Sequence, residues 1–534
     1  MTAAQHDVIV IGAGFAGLYA VHRAVTAGLQ VLGIEAADGV GGTWYWNRYP
    51  GARCDVESVD YSYSFDDDLQ QSWTWTERYA AQPEILAYLE HVADRFDLRR
   101  HYAFGISVTG ATFNRRSSMW EVHTSDGARH RAQFLLCATG CLSAVHRPDL
   151  PGIDGFAGEV YYTAAWPEQE PDLSGKHVGL VGTGSSGIQT APILASRAAS
   201  LMVFQRSPNY SVPMPNRPWT DDDMRRIKAD YPRRRARSAY APAGTPHTSP
   251  TKPAADNSAD EREEALRQRW AEGGVLFSKT FPDQLTDLAA NDIAREFAEA
   301  RIRELVADPR VADDLIPVDH PIGTKRICTD TGYYTTFNDE HVRLVNLRRE
   351  PITAITADAV QTAATSHPCD VLVFATGFDA MTGALTRIDP VGPNGERLSE
   401  LWADGPVTFL GLMIPTLPNL FSFSGPGSPS VLANMVLHSE IQVDWVIALI
   451  TAARAQGVTQ VEARADAAAA WTRHVAEVAE GTLFTHADSS WYLGANIDGK
   501  KRVFMPYVGG FGTYRQHCDG VAENDYTGLV FTSR

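Results

Sequence analysis

Two six-residue stretches of this chain have the residue types and spacing to hold a pyrophosphate. They are Gly12-Ala13-Gly14-Phe15-Ala16-Gly17 and Gly182-Thr183-Gly184-Ser185-Ser186-Gly187. In the pattern Gly-x-Gly-x-x-Gly, glycines permit a tight turn from strand to helix. They also let phosphate oxygens reach the backbone N–H groups at the helix N-terminus, where the dipole favours negative charge. The residue some twenty positions beyond each turn separates the two. Glu35 lies 23 positions beyond Gly12, at the end of an apolar run. A carboxylate there accepts hydrogen bonds from ribose hydroxyls and repels a 2′-phosphate. The matching position beyond Gly182 is Gln205, with Arg206 and Ser207 next in the chain. An arginine pairs with a 2′-phosphate. The first turn is therefore expected to take FAD and the second NADP(H), with hydride passing from nicotinamide to flavin.

The elements that must position these turns are legible around them. Asp7–Ile11 is a short apolar run that ends in glycine, the mark of a central parallel strand. Helical periodicity from Leu18 to Thr26 and a second strand from Gln30 to Ile34 complete a β-α-β unit. Ala81–Asp97 reads as an amphipathic helix and Phe134–Ala138 as a buried strand that runs into Ala138-Thr139-Gly140. The same grammar restarts with a strand at His177–Val181, a helix at Ile188–Arg197 and a strand at Ser200–Gln205. Cys369–Ala375 is a further strand, and it leads into a second Ala-Thr-Gly at 375–377. Between these lies a mostly helical stretch. Pro232–Ala259, rich in Pro, Ser, Thr and Ala, is expected to be a mobile loop or lid, and Leu285–Ala307 a helix stopped by Pro309. The last third is expected to hold hairpin-like strands and helices near Val431–Ala453 and Ala463–Glu480. The fold class is α/β: two Rossmann-like dinucleotide-binding domains with a mostly helical insertion. The expected boundaries are 1–140 and 378–534 for the FAD domain, 150–213 and 326–377 for the NADP domain, and 214–325 for the insertion.

Composition narrows the setting. The chain has 534 residues, 44% hydrophobic and 21% charged, which excludes disorder, collagen and coiled coil as the main architecture. A net charge of −17 disfavours nucleic acid and anionic membrane as partners. The six cysteines form no C-x-x-C pair, so neither a metal site nor a dithiol centre is expected, and they read as free thiols of a reducing cytoplasm. The first residues lack a basic region and a cleavage site, so no signal peptide is expected. The apolar stretch Val431–Ile450 carries His438, Glu440 and Asp444, and is expected to be a buried helix rather than a membrane span.

A third element carries the most specific signal. It runs Gly41-Gly42-Thr43-Trp44-Tyr45-Trp46-Asn47-Arg48-Tyr49-Pro50-Gly51-Ala52-Arg53-Cys54-Asp55. With both glycine turns, Gly323-Thr324-Lys325-Arg326, Phe374-Ala375-Thr376-Gly377-Phe378-Asp379 and the Ser490-Trp491-Tyr492…Asn496 stretch, it resembles the type I Baeyer–Villiger monooxygenases over nearly the whole chain. This is the FAD- and NADPH-dependent family of phenylacetone and cyclohexanone monooxygenases. The family fingerprint F-x-G-x-x-x-H-x-x-x-W-P/D is present from Phe156 to Pro167, with Tyr162 at the histidine position. In the family this segment links the domains. Tyrosine keeps a ring and one hydrogen bond but cannot become cationic, which bears on domain coupling more than on reaction type.

The resemblance implies oxygenation of a ketone to an ester or lactone by way of a flavin C4a-peroxide, with a small-molecule ketone and O₂ as partners. It implies Arg326 as the catalytic cation and Asp55 as its orienting carboxylate. Arginine suits a developing oxyanion because it does not give up its proton. For FAD it implies Gly12, Gly14, Phe15, Ala16, Gly17, Glu35, Thr43, Trp44, Tyr45, Trp46, Asp55, Tyr61, Val108 and Met435. For NADP it implies Arg53, Cys54, Thr183, Gly184, Ser185, Ser186, Gly187, Ile188, Gln189, Arg206, Ser207, Lys325, Arg326 and Trp491. Lys325 would be a second cation on the 2′-phosphate, and the Trp491 indole would reach the nicotinamide ribose. The loop Gly425–Ser430 resembles the longer pocket loop of phenylacetone monooxygenase and points to bulky, aromatic or cyclic ketones. A monomer or weak homodimer is expected. The competing readings are a flavin monooxygenase of nitrogen or sulfur, an uncoupled NADPH oxidase, and an idle dinucleotide-binding sensor, which only Tyr162 favours.

Overall fold

The computed structural model describes residues 4–533. Its first sheet is centred on the strand Ala4–Ile11, in which Val8, Ile9 and Val10 are wholly buried. That strand pairs in parallel with Val31–Ile34 on one side and with Arg129–Cys137 on the other. The antiparallel strands Met119–Thr124 and Val108–Asn114 extend the sheet, and Leu420–Ser422 joins Arg129–Cys137 in parallel from the far end of the chain. Strands buried on both faces read as continuous apolar runs, as at residues 8–11, 134–137 and 420–422, whereas the antiparallel strands Met119–Thr124 and Val108–Asn114 alternate buried with more exposed residues. The helix Phe15–Thr26 packs between this sheet and the long helix Met435–Ala455.

The second sheet is wholly parallel. Its order is Val342–Asn346, Ser200–Gln205, His177–Val181, Val371–Phe374 and Glu159–Tyr162. The expected strands at His177–Val181 and Ser200–Gln205 have those bounds. The helix after the second turn begins at Ser185, not Ile188, because Gly184 serves as its N-cap.

The helical stretch leaves and rejoins the second sheet through a parallel pair, Ser211–Pro213 with Cys328–Asp330. Here the expectations need correction. Pro232 does not open a loop: the helix Asp221–Ser238 runs through it. Thr220 and Asp223 form a capping box at its start. Near its end, Arg234 bonds the carboxylates of Glu57 and Asp60, while Arg235 bonds Gln70 and Ser62. Those long-range bonds outweigh the roughly 3 kcal/mol that an interior proline costs a helix. The irregular segment is consequently shorter, 239–253, with a 3₁₀ turn at Ala254–Asp256 and a helix at Ala259–Glu272. The helix expected at Leu285–Ala307 spans Leu288–Leu305, and Pro309 begins the next helix, capped by Asp308, rather than merely stopping the last.

In the C-terminal third the helices are Met435–Ala455 and Ala465–Glu480. The expected hairpin is instead a pairing of distant strands, Val458–Ala463 with Leu529–Ser533. Met435–Ala455 is long and apolar enough to cross a membrane, yet most of it is buried inside the protein. Its Glu440 carboxylate accepts hydrogen bonds from Ser64 N, Ser64 Oγ and Phe65 N.

Candidate active site

The two glycine turns are near copies. Gly12 and Gly182 both have φ of +109°, a region open to glycine and strained for other residues. A Cβ on Gly12 would lie 2.4 Å from the Ala138 carbonyl oxygen, and one on Gly182 would lie 2.5 Å from that of Ala375. The two Ala-Thr-Gly segments thus have the same task, closing the back of a turn. The third glycines, Gly17 and Gly187, let each helix sit against the carbonyl of its own first glycine. The middle glycines face open space: Gly14 has only Gly42 nearby, at 3.4 Å, and Gly184 has nothing within 4 Å. A turn closed behind and open in front, at a helix N-terminus, fits a pyrophosphate in both places.

Around the first turn, Glu35 is buried, and its carboxylate accepts hydrogen bonds from Ala13 N at 2.6 Å and Ala37 N at 2.8 Å. Burial raises its pKa against those bonds. Ile106 N donates to the Glu35 carbonyl, which sets Val108 two residues along the strand that leaves this corner. Thr43–Trp46 form one helical turn held to the first glycine turn by Gly41 N on the Ala13 carbonyl. Trp44 is buried and donates its indole N–H to the Tyr61 hydroxyl at 3.2 Å, and Tyr61 packs edge-on against Phe15. Tyr45 and Trp46 turn outward: Tyr45 bonds Asp38 beneath the Arg48 guanidinium, and Trp46 is 41% exposed. Ala16 and Phe15 lie in the first turn of the helix Phe15–Thr26, and Met435 is the first residue of the core helix.

Asp55 and Arg326 are brought together from 271 residues apart. Arg326 Nε and one terminal nitrogen grip both Asp55 oxygens, at 2.8 and 2.7 Å, and the other terminal nitrogen donates to the Val431 carbonyl. Burial disfavours the charge, but the Asp55 carboxylate more than compensates and raises the Arg326 pKa above its ordinary value. The cation therefore stays charged and has a fixed direction. An apolar cluster that includes Cys141, Met381, Val431, Met435, Tyr492 and Met505 flanks the segment whose carbonyl it holds.

The same segment is tied to the second turn. Gln189 donates to the Arg53 carbonyl and accepts from the Tyr49 hydroxyl, at 3.1 and 2.8 Å. Arg53 itself pairs with Glu77, and the buried Cys54 thiol has its pKa pushed up by burial. Thr183 bonds the Ser207 carbonyl, Ser186 bonds Thr163 and Ser185 contacts Cys328. Ile188 is buried in the second sheet's core.

Arg206 is exposed and, among the described residues, has no ion pair or hydrogen bond. Beside it stand two cations with partners. Lys325 donates to Ser489 Oγ at 2.6 Å and lies 3.9 Å from Asp319; Arg348 donates to Asp319 and to Ser207 Oγ. Burial lowers the Lys325 pKa, with Arg348 and Arg206 adding to it against Asp319. Arg348, Asp319 and Ser489 were not anticipated. The first had a signal: it comes just after a strand, Val342–Asn346, that neighbours the strand before Arg206. Ser489 adjoins the 3₁₀ turn Trp491–Leu493, where the Trp491 ring lies against Tyr492.

Tyr162 ends the edge strand of the second sheet. Its ring stacks on Phe374, and the Arg147 guanidinium lies 5.2 Å from its centroid on the chain that enters this domain. The ring is thus packed by Phe374 and by Arg147, while the one hydrogen bond expected of its hydroxyl is not found among the described residues. Among the described residues no group of three or more His, Cys, Asp or Glu could hold a metal ion.

Comparison with known proteins agrees with this geometry. Residues 5–214 match the model of the flavin-binding monooxygenase-like family. The chain is 40% identical to a Baeyer–Villiger monooxygenase from Pseudooceanicola batsensis, covering 99% of this chain and 96% of that one. It is 38% identical to phenazine N-monooxygenase PhzNO1 from Lysobacter antibioticus, with 99% and 97% covered. A steroid monooxygenase structure bound to NADP superposes with a TM-score of 0.95, at 51% identity over 100% of both chains. With two dinucleotide turns in place and relatives matched from end to end, the chain belongs to the Baeyer–Villiger monooxygenases, class B flavoproteins that take FAD and NADP(H).

Proposed function

We propose that Arg326 is the fixed cation that stabilises the negative charge developing as a ketone carbonyl is attacked, and that Asp55 positions it. FAD, when bound, supplies the activated oxygen and NADPH the hydride. The observation that carries this reading is the two-armed Arg326–Asp55 pair, which is turned on its third side toward Val431. A guanidinium held this way needs no reorganisation when charge appears. Around it, Gly12, Gly14, Gly17, Glu35, Thr43, Trp44, Tyr61 and Met435 hold the flavin nucleotide. Thr183 to Gln189, Arg206, Ser207 and Lys325 hold NADP, with Trp491 over the ribose. Tyr45, Trp46 and Val108 lie at the edge of the first site.

The substrates are bulky, aromatic or cyclic ketones. The buried loop Gly425–Ser430 and the apolar cluster beside Val431 support apolar surroundings for the substrate, and a relative of 51% identity is a steroid monooxygenase. Six buried free thiols and a charge of −17 suit a cytoplasmic monomer or weak homodimer with no nucleic-acid or membrane partner. Replacing Arg326 with Ala should abolish ester formation while FAD stays bound, read by flavin absorbance and product mass spectrometry. Full ester yield from that variant would remove Arg326 from the chemistry.

The phenazine N-monooxygenase at 38% identity favours a second reading, oxygenation of an aromatic nitrogen. That chemistry needs no oxyanion-holding arginine. A phenazine oxygenated equally well by Arg326→Ala would support it.

A further inference from the structure

A carboxylate stands among the cations of the second nucleotide site. Arg206 and Ser207 follow the strand Ser200–Gln205, Arg348 comes just after the neighbouring strand Val342–Asn346, and Lys325 precedes Arg326. Asp319 lies between them. An acid at such a place repels a 2′-phosphate, as Glu35 would at the first turn. Its presence here calls for a physical reason.

The two oxygens of Asp319 have separate tasks. Oδ1 lies 2.7 Å from Nδ1 of His320, a buried ring set edge-on to Tyr210. Burial lowers the His320 pKa, which keeps the ring neutral and leaves it a donor. Oδ2 collects everything else: Arg348 Nη2 at 2.5 Å, Ser489 Oγ at 3.3 Å and Lys325 Nζ at 3.9 Å. The same Arg348 nitrogen also reaches Ser207 Oγ, at 3.3 Å. One carboxylate oxygen therefore links the two paired cations, and it does so beside Ser207. Without it, Arg348 and Arg206 would press on the Lys325 ammonium unopposed.

This hold is made to be exchanged. Among the described residues, every partner of Asp319 is a side chain. Glu35 differs, because it accepts from the backbone at Ala13 N and Ala37 N. Freeing Asp319 Oδ2 thus breaks no main-chain bond. The Asp319 side chain is 20% exposed, and Val318 before it is 79% exposed, so water can solvate the oxygen once it lets go.

We propose that Asp319 is a determinant of coenzyme selectivity: its Oδ2 stands in for the 2′-phosphate before the coenzyme binds, and gives up Arg348 and Lys325 to the phosphate. The proposal rests on placing the 2′-phosphate at Arg206, Ser207 and Lys325, and it adds Arg348 and Asp319 to that site. A phosphate brings more charge and three strong acceptor oxygens, so it outcompetes one carboxylate oxygen. The 2′-hydroxyl of NAD(H) carries no charge to draw the cations away. Asp319 also moderates the grip on NADP(H), because the displaced carboxylate remains close to the phosphate.

The test is titration calorimetry of NADP⁺ and NAD⁺ on the oxidised, FAD-loaded enzyme, which reads binding apart from turnover. Asp319→Asn keeps the side chain's size and removes its charge. It should bind NADP⁺ roughly 5- to 20-fold more tightly than wild type, with NAD⁺ changed by less than about twofold. Asp319→Glu should return the NADP⁺ affinity toward wild type. Arg348→Gln should weaken NADP⁺ about tenfold and spare NAD⁺. Flavin absorbance and Tm report whether the variants are folded. If Asp319→Asn binds NADP⁺ no more tightly than wild type, the proposal is overturned, since Asp319 would then only orient the cations. Equal losses for both coenzymes in Arg348→Gln overturn it as well. Failure of the underlying placement looks different: Arg206→Ala and Lys325→Ala would both bind NADP⁺ as tightly as wild type, and the proposal would fall with that placement.

Discussion

At the scale of single residues, charge placement decides what each site accepts. Arg206 is the one cation near Ser207 without an ion-pair or hydrogen-bond partner among the described residues, whereas Lys325 and Arg348 share Asp319. Arg206→Ala should therefore raise the KM for NADPH about tenfold or more, with little change in kcat and a smaller preference over NADH, measured by steady-state kinetics. An unchanged KM would assign the 2′-phosphate to Lys325 and Arg348. Glu440 gives a pH signature of a different kind. Burial pushes its pKa up to about 7, from an ordinary 4.5. The folded chain thus keeps a proton that the unfolded chain releases between those values, so this group's contribution falls as pH rises through that window. Glu440→Gln should become more stable relative to wild type from pH 5 to pH 8, by up to about 3 kcal/mol in urea titrations. A difference independent of pH would mean that Glu440 stays ionised throughout. Much of the site could be read from residue types at fixed offsets, as with Glu35 after Gly12. Asp319, Arg348 and Ser489 could not, because sheet order and loop docking bring them to Lys325.

At the scale of elements, the helix Asp221–Ser238 shows where local reading fails. Pro232 is a breaker by propensity, but the bonds that hold this helix reach residues 57, 60, 62 and 70, far away in sequence. No local window contains them. Asp60 is almost wholly buried, so Arg234→Ala would strand its charge beside Glu57. The expected loss is about 3–5 kcal/mol of stability in denaturant titrations, with the helix end loosened. A loss below about 1 kcal/mol would mean that the proline is tolerated without this support. By contrast the β-α-β units were legible because their strands are buried on both faces and their turns need glycine. Gly12→Ala should lose FAD, since the added Cβ would lie 2.4 Å from a backbone carbonyl that cannot move aside. Retained flavin in the purified variant would show that the turn can open.

At the scale of the whole molecule, the parts built on the two sheets are tied by Gln189 with Tyr49 and Arg53 and by the Arg326–Asp55 pair, and the chain that enters the second sheet lays Arg147 over the Tyr162 ring that stacks on Phe374. The crossing points were legible in the repeated Ala-Thr-Gly. The stack was not, because the cation over the Tyr162 ring comes from Arg147, outside the fingerprint. Tyr162→Ala should therefore release more H₂O₂ per NADPH consumed than Tyr162→His, which keeps a ring on Phe374. Equal leakage from both would mean that the stack has no part in coupling. The twin turns also bear on how the protein is made. Gly182 is closed from behind by Ala375, synthesised 193 residues later, whereas Gly12 needs only Ala138. At ordinary translation speeds that leaves the nicotinamide turn unfinished for roughly 10–40 s. The flavin turn is backed long before it, although its sheet still awaits Leu420–Ser422. A nascent chain thus gains the backing of its flavin turn before that of its nicotinamide turn, while Leu420–Ser422 and Met435 reach the flavin side only after Ala375 has been made.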